Sequence, residues 1–247
     1  SANFFVAAIA GERLKASKVR PKLLVVVPNI EEADEDLEDL NTFLPGHTSL
    51  FPAGENIFAD DFEDDVDIQA QRIHVLNQIL HDDVHAKHNL DIIVAPIQAI
   101  LQPVPSPRLI SENILRIQRN REYPLEELIA WLHDHHYRLT SQVENAGEYA
   151  LRGGIIDIFP FASDTPYRIE YFGDEIESIR KFNVESQLSE QDLDTCQILA
   201  LDKIYTVNAL PGESGKTSLL TYLRKDTWIV LKEPVSIENR VKAIWAS

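Results

Sequence analysis

Two short apolar runs restrict the fold of this chain more than anything else in it. Lys22-Leu-Leu-Val-Val-Val-Pro28 and Leu90-Asp-Ile-Ile-Val-Ala-Pro96 are continuous rather than alternating. Each therefore predicts a strand buried on both faces, and each leads into a helical pattern, through Gln98-Ala-Ile-Leu-Gln102 in the second case. Strands with no wet face need helices above and below them, which is the α/β arrangement around a parallel sheet. Between the two runs, apolar residues at Ile68, Ile73, Val75, Leu76, Ile79 and Leu80 suit a helix over 67–80 packed on that sheet. Pro103, Pro105 and Pro107 close the region, because proline removes a donor and fixes φ. Near the other end the first pattern returns: Ser218-Leu-Leu-Thr-Tyr-Leu223 reads as a helix and Thr227-Trp-Ile-Val-Leu231 as a buried strand able to extend the same sheet. The middle of the chain is then an insertion.

That middle has a different period. After a helix over 123–136, Gly154-Ile-Ile-Asp-Ile-Phe159 predicts one strand. Tyr167-Arg-Ile-Glu-Tyr-Phe172 and Glu175-Ile-Glu-Ser-Ile-Arg180 predict two more, joined by Gly173-Asp174. Glycine at the first central position permits the positive φ of a type II′ hairpin turn. The domain limits expected are 1–113 and 201–247 for the α/β part and 114–200 for the small β-rich (α+β) insertion. Alternation puts Arg168, Glu170 and Phe172 on one face of their strand, with Ile169 and Tyr171 on the other. If the isoleucine face is buried, Phe172 stands exposed beside Arg168, a pairing typical of protein-binding hot spots. The competing reading is a polar-out strand whose Phe172 tucks under the turn.

Charge narrows the partners. With 23 Lys plus Arg against 40 Asp plus Glu, the net charge is −17. That opposes direct DNA binding by this chain, since such binding is driven by releasing counterions from phosphates. Acid concentrates in Glu31-Glu-Ala-Asp-Glu-Asp-Leu-Glu-Asp39 and Asp60-Asp-Phe-Glu-Asp-Asp-Val-Asp67, either as solvated faces or as a docking surface for a basic partner. No apolar run is long enough for a membrane span, and the first ten residues carry no basic segment of a secretory signal. A single cysteine, Cys196, excludes an intrachain disulfide and fits a reducing, cytoplasmic setting. A start on Ser1 with no methionine anywhere reads as a piece of a longer protein.

Four stretches carry residues with chemical potential. Pro211-Gly-Glu-Ser-Gly-Lys-Thr-Ser-Leu-Leu220 resembles a phosphate-binding loop, yet the first glycine that motif requires is replaced by Leu210. A Gly/Ser loop before a helix is the simpler expectation. His81, His85 and His88 share a helical face, but no cysteine lies near them and the glutamate of a zinc hydrolase is replaced by Asp82. His133-Asp-His-His136 reads as a surface helix end, and Cys196 as a small buried residue without a base beside it. No metal and no cofactor are expected.

Residues 137–187 carry a specific resemblance. The Gly-Glu-Tyr-Ala run, Arg-Gly-Gly, Asp-Ile-Phe-Pro, Pro-Tyr-Arg and Phe-Gly-Asp-Glu occur in the order of the UvrB-homology module at the N-terminus of bacterial transcription-repair coupling factors. The similarity extends more weakly through residues 50–58 and 91–102 to 218–234. It implies the fold of UvrB's first helicase-like (RecA-type) domain in degenerate form, with an inserted β domain that binds UvrA. The family's contact positions fall on Arg152, Arg168 and Phe172. The implied function is a non-catalytic adaptor that brings nucleotide excision repair to a stalled RNA polymerase. UvrA, or partner domains of the parent protein, would be the partners, and an ATP-dependent DNA translocase would lie elsewhere in that parent.

Departures from UvrB itself support the degenerate reading. Ser1 begins after the place of UvrB's nucleotide loop, and 56–71 is too short for its DNA-threading hairpin. Where an ATPase wants an aspartate after the apolar strand to hold Mg²⁺, this chain has Lys232-Glu-Pro234. The alternative is a fragment of a UvrB-like nucleotide-binding helicase or hydrolase with a divergent ATP site at 212–217.

Overall fold

The computed structural model describes Val6, Ala8 and residues 23–54, 66–80, 90–205 and 215–246. The His81, His85 and His88 cluster, residues 60–65 of the second acidic run and residues 211–214 of the glycine-containing loop lie outside the described residues. The chain divides into two compact units, one made of 1–107 with 209–247 and the other of 108–208.

In the first unit, β1 (Leu23–Val27), β2 (Thr48–Leu50) and β3 (Ile92–Pro96) alternate with helices α1 (Ile30–Phe43), α2 (Val66–Leu80) and α3 (Ile97–Leu101). A short β4 (Val104–Pro105) follows. All residues of β1 and β3 are buried, as their unbroken apolar composition requires. Asn29 caps α1 by accepting from the Glu32 backbone N–H at 2.9 Å, satisfying a donor that the first helical turn leaves unpaired. That helix buries a stripe of Ala33, Asp36 and Leu40, and its exposed acids Glu31, Asp34, Glu35, Glu38 and Asp39 line the side away from the sheet. Leu23, Val25, Val27, Ile92 and Val94 meet Ala33 and Leu40 in one core.

The second unit begins within α4 (Pro107–Glu112) and continues through β5 (Ile114–Gln118) and α5 (Leu125–Asp134). Seven strands follow: β6 (Arg138–Leu139), β7 (Glu148–Arg152), β8 (Ile155–Phe159), β9 (Tyr167–Phe172), β10 (Glu175–Phe182), β11 (Ser189–Leu193) and β12 (Thr195–Leu199). A one-turn α6 (Leu201–Tyr205) ends it. Six of the strands form a sheet in the order β11-β10-β9-β8-β7-β6, antiparallel except between β6 and β7, while β12 pairs with β5 separately. Gly173 has φ of +63° in the β9–β10 turn and Asp174 keeps a negative φ, the pattern of the type II′ turn. Gly147 is needed for closeness: a Cβ there would lie 2.3 Å from Phe161 Cε1, at φ of +82°.

The chain then returns to the first unit through β13 (Lys216–Thr217), β14 (Trp228–Leu231) and α7 (Pro234–Ala246). β14 joins the parallel sheet, giving the order β14-β1-β3-β2. Two expectations need correction. The strand expected to be buried is an edge strand, with Trp228, Ile229 and Leu231 about half exposed, because only β1 flanks it. The helix expected over 218–223 is a single 3₁₀ turn, Leu219–Thr221, capped by the Ser218 hydroxyl, with too few residues to propagate further. Among the described residues no helix is long and apolar enough to cross a membrane.

Candidate protein-binding site

The face of the six-stranded sheet is built from the pairing register. Arg168 on β9 stands opposite Asp157 on β8 and Arg180 on β10, and Glu170 stands opposite Ile155, which in turn pairs with Arg152 at the end of β7. Since side chains alternate along each strand, Arg152, Ile155, Asp157, Arg168, Glu170, Phe172 and Arg180 project from one face. The opposite face carries Ile156, Ile158, Ile169, Ile176 and Ile179, all at most 1% exposed. This burial holds the sheet's orientation, so a register slip of one residue would turn the whole set inward.

The three candidate residues do not share one environment. Phe172 is 79% exposed, so its ring does not tuck under the turn that follows it. Arg152 is exposed at the mouth of the β7–β8 turn. Arg168 is different: its Nε and one terminal nitrogen donate to the two oxygens of Asp157 at 2.7 and 2.8 Å. Its other terminal nitrogen donates to the Gln187 carbonyl at 3.2 Å, and the guanidinium lies 4.6 Å from the Phe182 ring centroid. Asp157 is 2% exposed. The hydrogen bond from Arg168 to Asp157 raises the arginine's proton affinity above its ordinary value. Arg168 is thus a strut within the sheet, joining β9 to β8 and to the turn before β11. The sequence placed Arg168 on the right face, but Asp157, Phe182 and Gln187 could not be found as its partners, since the pairing order of distant strands decides that contact.

Glu148, at the start of the strand that ends in Arg152, is a second buried anchor. Burial would push its carboxyl up, but the backbone N–H groups of Glu144 and Asn145 donate to it at 2.8 and 2.9 Å. With Arg138 and the Asn145 amide also bound to it, its pKa falls from 4.5 to about 2. A depressed folded-state value contributes stability above pH 4.5 that is lost as pH falls toward 2. The Glu148→Gln variant is expected to be about 2 to 3 kcal/mol less stable at neutral pH, a gap that closes on acidification through that window. Denaturant titrations at pH 7, 4 and 2.5 check this; a gap independent of pH would contradict it.

Among the described residues, the remaining chemical candidates lie in separate settings. Lys216 and Thr217 lie in a strand paired with Val104 and Pro105, followed by the 3₁₀ turn, not at the head of a helix where a phosphate-binding loop presents its lysine. Lys232 Nζ is 2.5 Å from Asp36 Oδ1, and Asp36 is 3% exposed. A protein cation therefore stands at the end of β14 beside the only buried acid of α1. His133 is exposed, whereas His135 Nδ1 lies 2.8 Å from Asp202 Oδ1. Burial pushes the Cys196 thiol up to about 12, so it is inert at neutral pH. Among the described residues no three His, Cys, Asp or Glu side chains converge as metal ligands.

Residues 115–204 match the family described as the UvrB interaction domain. The chain is 30% identical to the transcription-repair-coupling factor of Bacillus subtilis over 74% of its own length and 15% of that protein. It is 30% identical to the Haemophilus influenzae factor over 78% of the chain and 15% of the relative. For the Escherichia coli factor the identity is 24%, over 89% of the chain and 18% of the relative. The chain thus spans less than a fifth of the length of these relatives.

Proposed function

The chain carries a UvrB interaction domain within a segment homologous to part of the transcription-repair-coupling factors, and on that premise we propose that it is a non-catalytic adaptor that binds UvrA. In this reading the second unit presents a UvrB-like face to UvrA and recruits nucleotide excision repair to a stalled RNA polymerase. The observation that carries it is Phe172, 79% exposed on a sheet whose opposite face is buried. A large exposed aromatic on a sheet face that also carries arginines is the anatomy of a hot spot. Arg152 on β7 and Phe172 on β9 make the direct contacts, and Arg168 holds β9, the strand that displays Phe172, against β8.

The first unit is the degenerate helicase-like (RecA-type) domain of this proposal, with the UvrA-binding domain inserted between its two stretches of chain. Its parallel sheet supports that reading. The Lys232 ammonium against Asp36 supports loss of the ATP site, because a lysine at that position repels the Mg²⁺ that nucleotide hydrolysis needs. Motor activity belongs to the rest of the parent protein.

Isothermal calorimetry of the chain against purified UvrA tests the function, with UvrB as a control. Saturable heat is expected with UvrA and none with Mg²⁺-ATP. The adaptor reading fails if UvrB binds and the chain does not; nucleotide binding by the chain would favour the helicase-fragment alternative instead.

A further inference from the structure

Arg168 has nearly all of its guanidinium tied to Asp157 and Gln187, so a second arginine is needed to supply the cationic contact beside Phe172. We infer that Arg180, on β10, is that contact: a partner-binding residue on the same face, held ready by Glu170 and directed at an acidic or carbonyl-rich patch of the partner. The inference rests on the UvrA-binding reading and adds to it a residue that the sequence motifs do not single out.

Four observations carry it. First, Arg180 stands directly opposite Arg168 in the antiparallel register, so two arginines face each other across the ladder. Like charges at that spacing destabilise a sheet unless anions are interleaved. Asp157 answers Arg168, and Glu170 answers Arg180.

Second, the ion pair with Glu170 draws the Arg180 guanidinium away from its own row and along β9 toward Phe172, since Glu170 lies between Arg168 and Phe172 on that face. The Ser178 hydroxyl donates to the other Glu170 oxygen at 2.8 Å and fixes the carboxylate in place. A bulge in β10 between Ile176 and Ser178 brings Ser178 into register with Glu170 and sets up this arrangement.

Third, Arg180 has unused hydrogen-bonding capacity. Its Nε is buried with no hydrogen-bond partner among the described residues, whereas the corresponding atom of Arg168 bonds Asp157. That buried Nε is closed to a partner, so the donors left for a carboxylate or carbonyl are on the terminal nitrogens, one of which also serves Glu170. Its side chain is 28% exposed against 17% for Arg168, so a partner reaches it more readily.

Fourth, the surrounding charges point the same way. Facing Arg180 are Arg168 and Glu170 from β9, and Asp192 from β11, which pairs with it in register. Arg152 lies farther along the same face, across Ile155 from Glu170. Arg152 and Arg180 thus share with Phe172 one face of the sheet, cationic groups in a protein whose net charge is −17.

Calorimetric titrations against UvrA with wild type, Arg180→Gln, Arg180→Lys and Phe172→Ala decide the point, each variant's folding being checked by its thermal melt. Arg180→Gln is expected to weaken binding about tenfold or more. Arg180→Lys keeps the Glu170 pair but loses the planar fork, and is expected to bind several-fold more weakly than wild type while melting as wild type does. Binding of both Arg180 variants within twofold of wild type, where Phe172→Ala is impaired, overturns this inference and leaves the UvrA reading standing. Failure of the wild-type chain to bind, in conditions where UvrB does, overturns both.

Discussion

Replacing Arg168 by alanine is expected to destabilise the second unit by about 3 to 5 kcal/mol, a large share of the roughly 5 to 15 kcal/mol that holds an ordinary domain folded. The magnitude follows from what is left behind. Asp157 is 2% exposed and receives both of its strong hydrogen bonds from Arg168, so truncation strands a carboxylate in a dry site. Removal of the arginine also uncovers the Phe182 ring and frees the Gln187 carbonyl. Loss of UvrA binding by Arg168→Ala would then report unfolding rather than a lost contact. Denaturant unfolding of Arg168→Ala, Asp157→Ala and the double variant separates the two. The double variant is expected to be more stable than the sum of the single losses allows, because it removes the stranded charge together with its partner. Strict additivity in that cycle, or an Arg168→Ala loss below about 1 kcal/mol, would show that the pair is not the strut described here.

Phe172→Ala should do the reverse, abolishing most of the binding and leaving the fold intact. With the ring 79% exposed, little apolar contact is lost in the free protein, and stability should stay within about 0.5 kcal/mol of wild type. At the interface the same ring would be desolvated on the face that also carries Arg152 and Arg180. Truncating an anchor of that kind costs about 2 kcal/mol or more, roughly a thirtyfold rise in Kd for UvrA. The measurement is the same calorimetric titration, with thermal melts run in parallel. Unchanged affinity would remove Phe172 from the contact surface and with it the observation on which the proposed function stands.

The motifs behind the family resemblance divide into two kinds once their surroundings are known. Gly147 is required by the approach of Phe161, and Glu148 clamps the preceding turn. Asp157 of Asp-Ile-Phe-Pro and Arg168 of Pro-Tyr-Arg are two halves of one buried pair. These residues build the domain. Arg152 and Phe172 are exposed and contribute little to it, which makes them available for contact. A string of matching letters does not separate these roles, because the difference between them is burial.

What the sequence by itself determined is local and periodic. Unbroken apolar runs marked β1 and β3 as strands buried on both faces, and spacing of Ile73, Leu76 and Ile79 marked α2. Alternation along β9 put Arg168, Glu170 and Phe172 on one side of the chain, and Gly173 marked the turn after it. Each of these signals acts over a few residues, where side-chain direction is set by the backbone repeat alone. The tertiary structure alone decided which strands become neighbours. β5, β7 and β11 have short or polar sequences with weak patterns, and they became strands through the partners they pair with. The same holds for β14: its apolar residues predicted burial, but its place at the sheet edge leaves them half exposed. Pairing also joined Arg168 to Asp157, eleven residues away, and left Arg180 leaning on Glu170. Such contacts depend on register between strands, and register is selected by the summed burial of a whole sheet face, not by any one segment.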